Sequence, residues 1–145
     1  GREENSMYNA MEIARYVINK CTVEGCPISN LQLQKILYYI QRSFLKFGMY
    51  AFTDDIEAWQ FGPVVRDVYN NYCGFGAAKI RLRYEVDLKS DYQRIINPIV
   101  EEKRLLNPWE LVDDTHHPQK AWAEVYQDGL GNHQVIPKNL IREKG

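Results

Sequence analysis

The sequence predicts a mainly α fold with a small antiparallel β-ribbon (α+β), a single compact domain of about six helices around a central helix. Three observations lead there. The stretch from Ser29 to Phe47 carries an apolar stripe at helical spacing. Cap and proline signals punctuate the rest into short helical segments. Only two short runs alternate as strands do, which is too little for a sheet-based fold.

Asn9 and Glu12 have the spacing of a capping box, and Ala10, Ile13, Ala14, Val17 and Cys21 then form one helical face. Glu24-Gly25-Cys26-Pro27 turns the chain, since proline bars a helix from entering. Ser29 and Gln32 make a second capping box. On the helix that follows, Leu33, Ile36, Leu37, Ile40, Phe44 and Phe47 form one stripe. Leu31, Gln34, Tyr38, Gln41 and Leu45 form a second, mixed one. Such a helix is roughly 27 Å long, the width of a small domain. Gly48 offers a left-handed C-terminal cap. Other segments are expected to pack around this helix.

Ile56 to Phe61 alternates as a short strand, and Gly62-Pro63 is read as its stop and as the start of a helix lined by Val65, Val68, Tyr69 and Tyr72. Gly74 and Gly76 end that helix. Ile80 to Val86 alternates most cleanly in the chain and is expected to pair with Ile56 to Phe61. Ser90 is read as the cap of a helix carrying Tyr92, Ile95, Ile96 and Ile99, which Pro98 must kink or restart. Asn107-Pro108-Trp109-Glu110 starts another, presenting Trp109, Val112 and His116. Pro118 opens a further turn or two through Ala121, Trp122, Val125 and Tyr126. His133 to Ile136 reads as an edge strand, Pro137 as the start of a last helix with Leu140 and Ile141, and Arg142 to Gly145 as a frayed tail. Gly1 to Ser6 reads as an expression-tag remnant before a natural start at Met7, with one domain over 7–145.

Composition narrows the function. A chain of 145 residues, 45% hydrophobic and 26% charged, is an ordinary globular domain. Its net charge of -1 argues against a main task of gripping nucleic-acid phosphates. No apolar run is long enough to span a membrane and no leader is visible, so a cytoplasmic protein is expected. Cys21, Cys26 and Cys73 are odd in number and widely spread, which favours free thiols. Zinc would need Cys21 and Cys26 to recruit His116 or His117 from far away, and Cys73 is read as a buried structural thiol rather than a nucleophile paired with His116.

No phosphate-binding loop, zinc-protease motif or paired C-x-x-C occurs. Asp54, Asp55 and Glu57, with His116, are the residues a metal-dependent hydrolase or nuclease would use, but the plainer reading is a solvated turn. Arg15, Lys20, Arg42, Lys46, Arg81 and Arg83 would serve a DNA-associated regulator, but such scattered bases usually form a solvated surface. Lys35 is expected on the polar side of the central helix, with Tyr38 and Tyr39 at least half buried. Glu57 faces outward or pairs with Lys35 or an Arg. His116 reads as a core histidine tied to a backbone carbonyl. Ten Tyr and three Trp supply core and a contact surface, for which Tyr8, Tyr50, Phe52, Phe75 and Tyr84 are candidates.

Leu33-Gln34-Lys35-Ile36-Leu37-Tyr38-Tyr39, then Ile56 to Val65 with Trp59 and Gly62-Pro63, then Thr115-His116 and Trp122, together resemble the Panacea domain, the family of SocA-like antitoxins and phage-associated proteins of the GepA type. The resemblance covers 7–142. It implies a mostly helical bacterial, phage or prophage protein that is no enzyme and needs no cofactor. Such a protein neutralises, by direct binding, a toxin encoded beside it. Partner toxins of the family include small alarmone-synthetase-like enzymes, and the SocA member instead hands its toxin to a protease, which points to a Clp-type system. On this chain the signature falls on Gln34, Lys35, Tyr38, Glu57, Trp59, Gly62, Pro63, His116 and Trp122, in roles that look architectural.

Overall fold

The computed structural model describes residues 8–117 and 120–145. The tag reading of Gly1 to Ser6, the start at Met7 and the helix opening at Pro118 lie outside those residues. Among the described residues the fold is α+β: seven α-helices and a three-stranded antiparallel sheet.

Helix α1 is Ala10–Val23, and its capping box between Asn9 and Glu12 forms in both directions. Helix α2 is Asn30–Lys46, started by the Ser29–Gln32 box. Helix α2 is the hub, since α1, α3 (Arg66–Tyr72), α4 (Ser90–Lys103), α5 (Pro108–Thr115), α7 (Lys138–Lys144) and strand β2 (Gly62–Val64) all pack on it. Its apolar stripe is buried from Leu33 to Phe44, as is Leu45. Phe47 departs from the expected stripe at 69% exposed. It is the C-cap, where the backbone leaves the helix, so its side chain no longer follows the helical face. Gly48 then takes the left-handed φ of +75°.

The sheet differs from expectation. Strand β1 (Glu57–Trp59) pairs with β2 through a tight hairpin and, on its other edge, with β3 (Gln134–Val135). Gly62-Pro63 therefore does not start a helix. Those two residues open a return strand, and α3 begins at Arg66. With both edges of β1 occupied, Ile80 to Val86 has no strand to join. Only Ile80 makes a bridge, to Ile28. The remainder lies as a strap over helices: the Tyr84 N–H donates to Asn19 Oδ1 at 2.9 Å, and its hydroxyl meets that of Tyr72 at 2.8 Å. Its apolar side meets the core at Ile80 and Tyr84, while Leu82 between them is 38% exposed.

Three smaller expectations also change. Lys89, not Ser90, is the cap residue of α4, without a side-chain bond. Of the two outcomes expected at Pro98, the restart does not occur: the helix runs through it, and Pro98 and Arg94, whose carbonyl loses its donor, are both exposed residues. The tail is helical to Lys144, and the Gly145 carbonyl accepts from Arg42 and Lys120 at 3.0 and 3.2 Å. Helix α6 (Ala121–Tyr126) packs on β1 and α7.

Five polar residues of α2, Asn30, Gln32, Gln34, Lys35 and Gln41, are buried rather than turned to water. Gln41 donates to the Phe52 carbonyl and accepts from the Ala51 N–H, each at 2.8 Å. Gln32 donates to the Leu106 carbonyl at 3.0 Å. Each side chain holds the backbone of a loop that has no ladder of its own, which meets the requirement that buried polar groups be bonded.

Candidate functional site

The site grows from two adjacent residues of α2. Gln34 Oε1 accepts from the Val65 N–H at 2.9 Å, and Lys35 Nζ donates to the Pro63 carbonyl at 2.9 Å. Together they clasp the end of β2 at alternate backbone positions. Gln34 is held in turn by donating to Asn30 Oδ1 at 3.0 Å.

Lys35 is not on a solvated face: it is 0% exposed. Among the described residues no carboxylate lies within ion-pair range of it. Loss of hydration, with no opposite charge to offset it, pushes the Lys35 ammonium down to about 7. Space for it exists because Gly62 has no side chain. A Cβ there would stand 2.8 Å from Lys35 Cε, 2.9 Å from its Nζ and 2.9 Å from Thr115 Oγ1. Gly62 also holds φ at +116°, a value that only glycine adopts readily.

An aromatic column stands beside the clasp. His116 stacks on Trp122 with centroids 3.7 Å apart and planes 6° from parallel, and Trp122 stacks on Tyr126 at 4.6 Å. Trp122 Nε1 donates to the Trp59 carbonyl at 2.7 Å, tying α6 to β1. His116 is half-buried rather than a core residue, and its Nε2, itself buried, has no hydrogen-bond partner among the described residues. Burial, and then the nearby Lys35 charge, lower its pKa, so the neutral ring is favoured.

Glu57 takes one of its two expected outcomes. It accepts from Trp59 Nε1 at 2.9 Å and pairs with Arg66 at 2.8 Å. Burial raises its pKa, but these bonds outweigh it and the net shift is downward. The Arg66 guanidinium also lies over the Trp59 ring at 5.5 Å. Tyr38 and Tyr39 are both buried, and Tyr39 donates to Asp114.

Between α2, the β1–β2 hairpin and the turn after α3 lies a cleft of about 500 Å³. Lys35 and Gln34 line its inner end, and Trp59, Tyr69 and Val64 its walls. At its mouth Phe61 and Trp109 meet edge to face at 5.5 Å, 46% and 60% exposed. No Asp or Glu is among the described residues that line it.

The guessed contact residues fall elsewhere, apart from one neighbour. Phe52 is 0% exposed and belongs to the core, so it is no surface contact. Tyr8, Tyr50, Phe75 and Tyr84 are half-buried and packed against the core; Phe75 alone adjoins cleft residues, Cys73 and Gly76. Cys73 is exposed at the cleft edge, not buried, because it lies past the end of α3 in a single 3-10 turn. Cys21 is the buried thiol, pushed up to about 11 by burial. Asp54 accepts from the Ala10 N–H and Asp55 pairs with Lys138, while Glu57 serves Arg66. Among the described residues no three His, Cys, Asp or Glu are grouped to hold a metal ion. Two of the six bases are engaged within the fold: Lys20 pairs with Glu24 and Glu101, and Arg42 donates to the Gly145 carbonyl.

Sequence reasoning missed Phe61 and Trp109 as a pair, because they come from different elements. It also misplaced Lys35. A local signal existed there: Leu31 and Tyr39, one turn to either side, are apolar.

A family model described as "Antitoxin SocA-like, Panacea domain" matches residues 33–123. A curated relative, Antitoxin SocA of Caulobacter vibrioides (strain NA1000 / CB15N), is 35% identical over 92 residues, which are 62% of this chain and 49% of that protein. The chain thus spans about half the length of that relative. No solved structure matches.

Proposed function

This chain belongs to the SocA-like antitoxin family that carries the Panacea domain, and from that premise we propose that it is an antitoxin that neutralises a cognate protein toxin by direct binding. The observation that carries this reading is the family match over 33–123, the region that contains both the Gln34–Lys35 clasp and the His116–Trp122 stack.

The geometry supports a binding rather than a catalytic role. Lys35 and His116 are used internally: one holds Pro63, the other stacks on Trp122. What remains available is a rigid scaffold with an aromatic rim, the composition that dominates protein interfaces. Toxins of the small alarmone-synthetase class are the partner class we favour, in the cytoplasm, with delivery to a Clp-type protease as a second route to the same outcome. Among the described residues no helix is long and apolar enough to cross a membrane.

The test is co-expression with the product of the neighbouring open reading frame. Restored growth and a stoichiometric complex on co-purification are expected. Unrelieved toxicity with no complex would overturn the antitoxin reading, and a normal toxin level beside the rescue would exclude proteolytic delivery.

A further inference from the structure

We propose that Cys21 and Cys26, at the end of α1, are a redox site: they close a reversible disulfide when a small disulfide such as glutathione disulfide reaches Cys26.

The turn that ends α1 puts the two residues together. Glu24 is the C-cap, and Gly25 takes the left-handed φ of +74°. The Gly25 N–H donates to the Thr22 carbonyl at 3.2 Å, and the Cys26 N–H to the Cys21 carbonyl at 2.8 Å. This is the Schellman pattern, in which the side chains at the two ends of the longer bond meet in an apolar contact. Here both ends are cysteines. The main-chain bond between them also keeps their Cα atoms within the span a disulfide needs, about 4.4–6.8 Å. The two sulfurs sense each other, since charge on Cys26 opposes charge on Cys21.

The two thiols differ in access. Cys21 is 0% exposed and Cys26 is half-buried. A small disulfide in solution therefore meets Cys26, and Cys21 is reached only through it. The Arg104 guanidinium lies beside Cys21 and opposes the burial that keeps its thiol protonated. Arg104 is held in place by donating to Glu24 at 2.7 Å, and its Nε is buried with no partner among the described residues. A fixed cation with a spare donor thus stands next to the sulfur that must ionise second.

The exchange balances as follows. Cys26 gives its proton to water, and the thiolate attacks one sulfur of glutathione disulfide. That S–S bond breaks, one glutathione leaves as thiolate and takes up a proton, and Cys26 carries the other as a mixed disulfide. Cys21 then ionises, and its thiolate attacks Cys26 Sγ. The bond to the second glutathione breaks, and this too leaves and is protonated. Two protein thiols have lost two electrons, and glutathione disulfide has been reduced to two thiols. Excess reduced glutathione drives the exchange backward. The closed form ties the end of α1 across the turn that leads to the Ser29 cap of α2.

The experiment treats the folded Cys73→Ser chain with millimolar glutathione disulfide at pH 8, without denaturant, and follows the intact mass. Cys73 is exposed, so its replacement leaves the core as it is. Loss of the mass of two hydrogens is expected, reversed by excess reduced glutathione. Adding Cys21→Ala should stop the reaction at a glutathione adduct, because no thiol remains to displace it. Adding Cys26→Ser should leave the folded chain unmodified, since Cys21 is out of reach. Peptide mapping of the treated unmodified chain should find Cys21 joined to Cys26.

A Cys73→Ser chain that stays reduced, or that stops at the adduct, would overturn the site. Ring closure in urea but not in native buffer would assign the bond to the unfolded chain and overturn it too. A bridge from Cys26 to Cys73, or between two chains, would overturn the pairing.

Discussion

The side chain of Lys35 occupies the space that Gly62 leaves by lacking a Cβ: a methyl group there would lie 2.8 Å from Lys35 Cε. A glycine on a strand and a lysine on a helix, separated by 27 positions of chain, are thus one packing unit. The positive φ of Gly62 adds to the restriction, because a residue with a side chain resists that backbone conformation.

Gly62→Ala is expected to lose roughly 3 kcal/mol of stability, from backbone strain and overpacking together. Urea denaturation would show a lower midpoint at an unchanged slope. A loss below about 0.5 kcal/mol would mean the cavity adjusts freely, contrary to the packing described.

Lys35 makes stability depend on pH. Its pKa is about 7 in the folded chain against 10.5 as the ordinary value. Between these values the unfolded chain binds more protons, so stability rises with pH. Below about pH 7 both states are protonated and the destabilisation is full. From pH 7 to about 8.5, before thiols and phenols titrate in the unfolded chain, the rise should approach about 1.4 kcal/mol per pH unit. Lys35→Met should flatten that slope, which a series of denaturation curves would measure.

Gln41 bonds two backbone groups of the loop after α2. Gln41→Leu removes both bonds from a buried setting and should cost about 3 kcal/mol. Hydrogen exchange at Phe52 and its neighbours should quicken more than exchange in α4.

Trp122→Phe removes the bond to the Trp59 carbonyl and part of the stack on His116. A loss of about 2 kcal/mol is expected, along with a weaker near-ultraviolet circular dichroism signal.

Cys73 and Cys21 should separate by reactivity. A charged disulfide reagent at pH 8 should reach exposed Cys73 first. Cys21, buried and with its thiol pushed up to about 11, should react with the reagent directly only as the chain unfolds.

How much of this was readable in the sequence follows from the range of the forces involved. Capping boxes at Asn9, Ser29 and Asn107 are local, and all three formed as spaced. The apolar face of α2 was also visible, because periodicity states which side is buried. Periodicity does not state what lies against that side. The strand reading of Ile80 to Val86 failed for this reason: alternation cannot tell a neighbouring strand from a neighbouring helix. Lys35 was misread because its burial depends on an empty volume at Gly62, far along the chain. The Phe61–Trp109 rim stayed hidden for the same cause.

Helix α2 fastens its surroundings by main-chain atoms: the Pro63, Phe52 and Leu106 carbonyls and the Val65 and Ala51 amides. Every amino acid supplies a carbonyl, and all but proline supply the amide as well. Evolution is therefore free to rewrite the outward side chains of these loops without loosening the frame beneath. A scaffold wired in this way can keep one shape while its exterior is re-lettered for a succession of different targets.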